Sequence, residues 1–98
     1  MDERERRIET NEKLFREVND RVETLNQSLG VAGYSEWICE CGDSTCFERL
    51  TVALQDYRRI REHGDRFIVK LGHEAPDVEV VVEQGEGYAV VEKFAPVT

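Results

Sequence analysis

Along the first third of the chain apolar residues recur as Ile8, Phe15, Val18, Val22, Leu25 and Leu29, at steps of seven, three, four, three and four. In heptad terms Ile8, Phe15, Val22 and Leu29 take a, Val18 and Leu25 take d, Asn11 fills the remaining d position, and Leu14 widens the stripe at g. No proline or glycine intervenes before Gly30, which is placed to close a helix in the left-handed conformation. The pattern predicts one amphipathic helix from about Glu5 to Leu29. At about 1.5 Å per residue it would run roughly 37 Å, longer than a module of roughly 70 residues can cover. The stripe therefore has two destinations: the core of its own chain, or a contact with a second copy or another protein, where Asn11 would set register.

Beyond Gly30 the pattern shortens. Trp37-Ile38-Cys39 and Cys46-Phe47-Glu48-Arg49-Leu50 predict two extended arms around a Gly42-Asp43-Ser44 turn. Thr51 is expected to cap a helix whose apolar line is Leu54, Tyr57 and Ile60 and which Gly64 stops. β-branched content predicts strands at Arg66–Leu71 and Tyr88–Phe94. Residues 76–83 carry two patterns. Val78, Val81 and Val82 form a helical face behind Pro76, with Asp77 and Glu79 at its positive end, whereas Val80 and the valine run favour a strand and a hairpin through Gln84-Gly85-Glu86-Gly87. We read this stretch as a short helix.

Charge adds one qualification. The net charge is −8, which disfavours nucleic acid as a partner, yet Arg58, Arg59, Arg61, Arg66 and Lys70 make a local basic strip. Such a strip on an acidic chain reads as a solvated face paired with its own carboxylates. The opening Met-Asp-Glu-Arg-Glu-Arg-Arg is too charged for a secretory signal, and no apolar run is long enough for a membrane span. A cytoplasmic protein with reduced thiols is the expectation.

The chemistry is concentrated in Cys39-Glu40-Cys41-Gly42-Asp43-Ser44-Thr45-Cys46, which holds all three cysteines. On an extended segment Cys39 and Cys41 leave the same face, and the turn returns Cys46 toward them. A disulfide within Cys-x-Cys would be strained, and an odd count fits a disulfide framework poorly; a shared metal avoids both difficulties. Three thiolates leave one vertex of a tetrahedron. His73, just past a predicted strand in Leu71-Gly72-His73-Glu74, is the expected fourth ligand, with His63 at the end of the middle helix as the alternative. The fold class is then α+β: an amphipathic helix at 1–30, followed at 31–98 by a small zinc-stapled module with a short sheet and one or two helices.

Cys39-Glu-Cys41-Gly, Cys46, Leu50-Thr51 with Tyr57 and Arg61, Arg66-Phe67 and Gly72-His73-Glu74 together resemble a small uncharacterised bacterial family of that cysteine pattern. An amphipathic helix like Phe15–Asn26 precedes the cysteines there too, so the resemblance spans about residues 4 to 94. It implies that Cys39, Cys41, Cys46 and His73 form one set, and it implies no activity.

A zinc held by three sulfurs and a histidine has no free vertex, which points to a structural module acting in protein–protein interaction rather than an enzyme. Ser35 and Ser44 lack a nucleophile-elbow context, and Gly85-Glu-Gly87 is too short for a phosphate loop. The alternative role for the same thiols is a redox or metal-responsive switch. An enzyme would require His73 to be free and water to take its place on the metal.

Overall fold

The computed structural model describes residues 3–30, 33–41, 43 and 45–94. Helix α1 runs over Glu3–Ser28, followed by strand β1 at Tyr34–Ile38 and β2 at Arg49–Ala53. Helix α2 covers Leu54–Arg61, and strands β3, β4 and β5 cover Arg66–Lys70, Glu79–Gln84 and Tyr88–Lys93. The fold is α+β, with a long N-terminal helix laid along two small antiparallel sheets and one further helix.

The two arms expected around the cysteines pair as β1 and β2, with Trp37 opposite Leu50 and Ile38 opposite Arg49. The other sheet has the order β3-β5-β4. Its strands are rich in β-branched residues, and Phe67, Ile68 and Val69 of β3 and Ala89, Val90 and Val91 of β5 are buried in unbroken runs because both faces of these strands are covered. Trp37 and Tyr57 stack at 3.9 Å between ring centroids, which joins β1 to α2, and the indole N–H donates to the Val52 carbonyl at 3.0 Å. Leu54, Tyr57 and Ile60 form the buried line of α2 as the spacing predicts.

Three expectations need correction. Residues 79–84 form a strand, not a helix: the valine run pairs with β5 through a ladder with a bulge between Val81 and Glu83, and cross-strand pairing outweighs the helical face that Pro76 seemed to open. Thr51 lies within β2 and caps nothing; α2 starts from Ala53, which makes no side-chain cap. The same helix ends at Arg61 with Glu62 as its C-cap, before Gly64 is reached. At the β4–β5 hairpin Gly85 is required by a close approach, since a Cβ there would stand 2.2 Å from the Tyr88 ring. Gly30, with φ 68, closes α1 in the left-handed region as expected.

The face that α1 turns inward takes in only part of its apolar stripe, chiefly Ile8 and Val22. Ile8, Glu12 and Asn19 are buried along one line, while Phe15, Val18 and Val22 are half-buried and Leu14, Leu25 and Leu29 are 53%, 59% and 69% exposed. Polar side chains do much of the fastening. Asp20 accepts hydrogen bonds from Tyr57 and Arg61, Glu23 pairs with Arg58, Asn26 donates to Ser35, and the Arg16 guanidinium lies 4.9 Å from the centre of the Phe67 ring. Each member of the basic strip has a carboxylate beside it: Arg59 meets Glu83 at 2.7 Å, Arg66 meets Glu92 at 3.6 Å and Lys70 meets Glu48 at 3.2 Å, while Arg58 and Arg61 are taken up by α1.

Candidate metal centre

Cys39 follows directly on β1, and its N–H bonds to the Glu48 carbonyl at 2.9 Å, so the arm stays tied to the strand returning from Cys46. Gly42 and Ser44, at the centre of the expected turn, lie outside the described residues. Around them Asp43 shapes the chain: its carboxylate accepts from the Thr45 N–H at 2.8 Å, and its carbonyl accepts from the Cys46 N–H at 3.0 Å. His73 is brought in by a tight turn after β3, in which its N–H bonds to the Lys70 carbonyl at 2.9 Å and Gly72 adopts φ 87.

These two segments place one donor atom each of Cys39, Cys41, Cys46 and His73 within 4.8 Å of one another, the cysteines buried and the histidine half-buried. His73 turns Nδ1 toward the sulfurs, 3.7 Å from Cys39 Sγ and 3.5 Å from Cys46 Sγ. A tetrahedral zinc with bonds of about 2.3 Å to sulfur and about 2.05 Å to nitrogen would set those donors about 3.6 Å apart. The two sulfur–nitrogen distances match that separation, and the remaining donor pairs lie within 4.8 Å. His63 is exposed just past α2 and is not part of the group.

The electrostatics point the same way. The Cys41 thiol is drawn down to about 5, first by its hydrogen bond with Cys39 and then by the backbone at Asp43, by His73 and by Cys46, against the opposing effect of burial. Cys39 is pushed upward by that same bond and by burial. Protons are thus shared unequally within the cluster, and full ionisation of all three sulfurs requires a cation among them. Cys39 Sγ also accepts the Lys70 N–H at 3.2 Å, the kind of outer contact that steadies a thiolate ligand.

Sequence reasoning missed the residue between the first two cysteines. Glu40 is fully buried, pointing away from the sulfurs, and its N–H bonds to the Ile68 carbonyl at 2.7 Å while its carboxylate accepts the Ile68 N–H at 2.9 Å. The other carboxylate oxygen accepts from Asn19 of α1 at 2.8 Å. Asn19 in turn satisfies both backbone groups of Ile38, at 2.8 and 2.9 Å. Burial pushes the Glu40 carboxyl up to about 7, although Arg61, Asn19, the Ile68 N–H and Arg16 all favour its ionised form. Nothing in the spacing announces Glu40; a charged residue enclosed by Cys-x-Cys was the one available signal.

Beside the centre a cleft of about 560 Å³ is lined by Arg7, Ile8 and Asn11 of α1, by Cys41 and Asp43, and by the Gly72–Pro76 segment. It leaves His73 the most accessible of the four. Comparison with family models, curated proteins and solved structures gave no match. No helix is long and apolar enough to cross a membrane, among the described residues.

Proposed function

We propose that this chain is a structural zinc-binding protein whose work is protein–protein contact, with Cys39, Cys41, Cys46 and His73 as the ligands. The observation that carries the reading is the convergence of three sulfurs and one nitrogen within 4.8 Å of one another, with two of the sulfurs 3.5 and 3.7 Å from the nitrogen. Three thiolates and one imidazole complete a zinc coordination shell, so no vertex remains for water or substrate, and a catalytic role at the metal is disfavoured. Bound zinc would tie the turn that follows β1 to the turn that follows β3. The reduced thiols suit the cytoplasm, and the same four residues carry the resemblance to the small bacterial family of Cys-x-Cys-Gly pattern.

The contact surface in this reading is the outer face of α1, and the occupant is a second copy of the chain. Leu14, Val18, Leu25 and Leu29 follow one line on the helix at steps of four, seven and four, with the three leucines exposed and Val18 half-buried between them. Two copies set antiparallel bring Leu14 of one level with Leu25 of the other. The leucines are few, so the dimer is expected to depend on concentration. The test is metal analysis joined to mass determination in solution: one zinc per chain and a mass rising toward the dimer with concentration support the reading. A metal-free, folded protein would remove the zinc role, and a monomer at high concentration would remove the self-contact.

One observation favours a second reading, a thiol-based redox or metal-responsive regulator. Glu40, enclosed by two ligands, is hydrogen-bonded to α1 through Asn19, so disturbance of the centre reaches the helix. Peroxide would take two electrons from two thiolates, forming one S–S bond with reduction of the peroxide to water, and the remaining two donors would hold zinc poorly. Zinc release by mild peroxide, together with lost protection of α1 from hydrogen exchange, would support regulation; resistance of the site would leave the structural role alone.

A further inference from the structure

About two turns before Asn19 on α1, two buried carboxyl groups face one amine. Glu12 is fully buried on the helix and Glu79 is 2% exposed at the start of β4. Glu79 stands opposite Lys93 in the β4–β5 ladder, and Lys93 Nζ reaches Glu12 Oε1 at 2.6 Å. Glu79 Oε1 accepts the Ala75 N–H at 2.8 Å. The two remaining oxygens, Glu12 Oε2 and Glu79 Oε2, are buried with no other hydrogen-bond partner, and the two carboxyls interact directly.

Charge balance decides how these groups coexist. One ammonium neutralises one carboxylate, and a second buried carboxylate beside the first would be repelled and unsolvated. A proton on Glu79 Oε2, donated to Glu12 Oε2, removes the second charge and satisfies both orphaned oxygens with one strong hydrogen bond. Burial, and then the bond to Glu12, hold Glu79 protonated up to about 8, far above the ordinary carboxylate range, although Ala75 and Lys93 oppose this. The other charged groups around the pair are Glu9, one turn back on α1 and held by Lys13 at 2.9 Å, and Glu74 and Asp77, which flank Ala75 in the segment leading to β4.

We propose that Glu12, Glu79 and Lys93 form a proton-dependent clasp that fastens the N-terminal half of α1 to the β4–β5 hairpin, and that loss of the shared proton frees this half of the helix while Asn19 keeps the other half in place. The clasp shares no residue with the metal centre. Folding raises the pKa of Glu79, so its protonation favours the docked helix at low pH, and that contribution is lost as pH climbs from the unfolded value of 4.5 through about 8. Freeing this segment would expose Ile8 and widen the cleft beside His73, one wall of which is formed by Arg7, Ile8 and Asn11 of the docked helix.

The experiment compares the intact protein with Glu79→Gln, whose amide keeps the acceptor for Ala75 and supplies a permanent donor to Glu12. Hydrogen exchange, corrected for intrinsic rate, is followed between pH 6.5 and 9.5. The expected result is a drop of at least about tenfold in protection of residues 8–16 of the wild type through pH 8, with residues 19–26 retained, and no such step in Glu79→Gln. Glu12→Gln provides a second route: it leaves Lys93 with a single carboxylate and should also abolish the step. Parallel profiles in wild type and either folded variant, or a uniform loss along the whole helix, would overturn the proposal.

Discussion

The inner face of α1 is held by Glu12, Asn19, Asp20 and Glu23, whereas its outer face carries Leu14, Leu25 and Leu29 in solvent. A helix that docks through polar groups needs partners of complementary shape and charge, and every one of these residues has them on a different element. Such docking contributes less from area than an apolar seam would, but it fixes the helix in one position, because any slip leaves buried donors and acceptors unpaired. The outer leucines carry no such constraint. They cost the monomer little and are available to a second surface.

The comparison breaks most visibly at Asn19. Asn19→Ala would leave the Ile38 backbone and one Glu40 oxygen without partners, and we expect a loss of about 3 kcal/mol in denaturant unfolding. A loss below about 1 kcal/mol would mean that water replaces the amide and that the inner face is not polar-locked. Ile8→Ala removes the most deeply buried apolar side chain of α1 and is expected to cost about 2 kcal/mol, at the low end for a buried isoleucine because the helix end can settle. On the outer face, Leu14→Ser and Leu25→Ser should change monomer stability by less than about 0.5 kcal/mol while weakening any concentration-dependent gain in mass seen by light scattering. A large stability loss from either would place these leucines in the fold itself.

Much of this architecture is legible in the chain, and the failures share one cause. The helix, the strand around Ile68, the strand around Val90 and the line Leu54–Tyr57–Ile60 all follow from period and composition. The cysteine cluster and His73 are readable as one donor set because close spacing and a glycine turn after a strand constrain the backbone locally. Over residues 76–83 helical and strand patterns coincide, and the ladder with β5, which decides for a strand at Glu79–Gln84, is a tertiary fact. The inner face of α1 was hidden for the same reason. Ile8, Glu12, Asn19 and Asn26 do lie on one helical line, but polarity at three of those positions has meaning only once Lys93, Glu40 and Ser35 are brought opposite.

The central claim is the metal centre, and its most direct test is X-ray absorption at the zinc edge on the purified, unsupplemented protein. The account predicts a shell of three sulfurs at about 2.3 Å and one nitrogen at about 2.05 Å, with the nitrogen contribution lost in His73→Ala and kept in His63→Ala. A protein without zinc, or a shell dominated by oxygen and unchanged in His73→Ala, would contradict it.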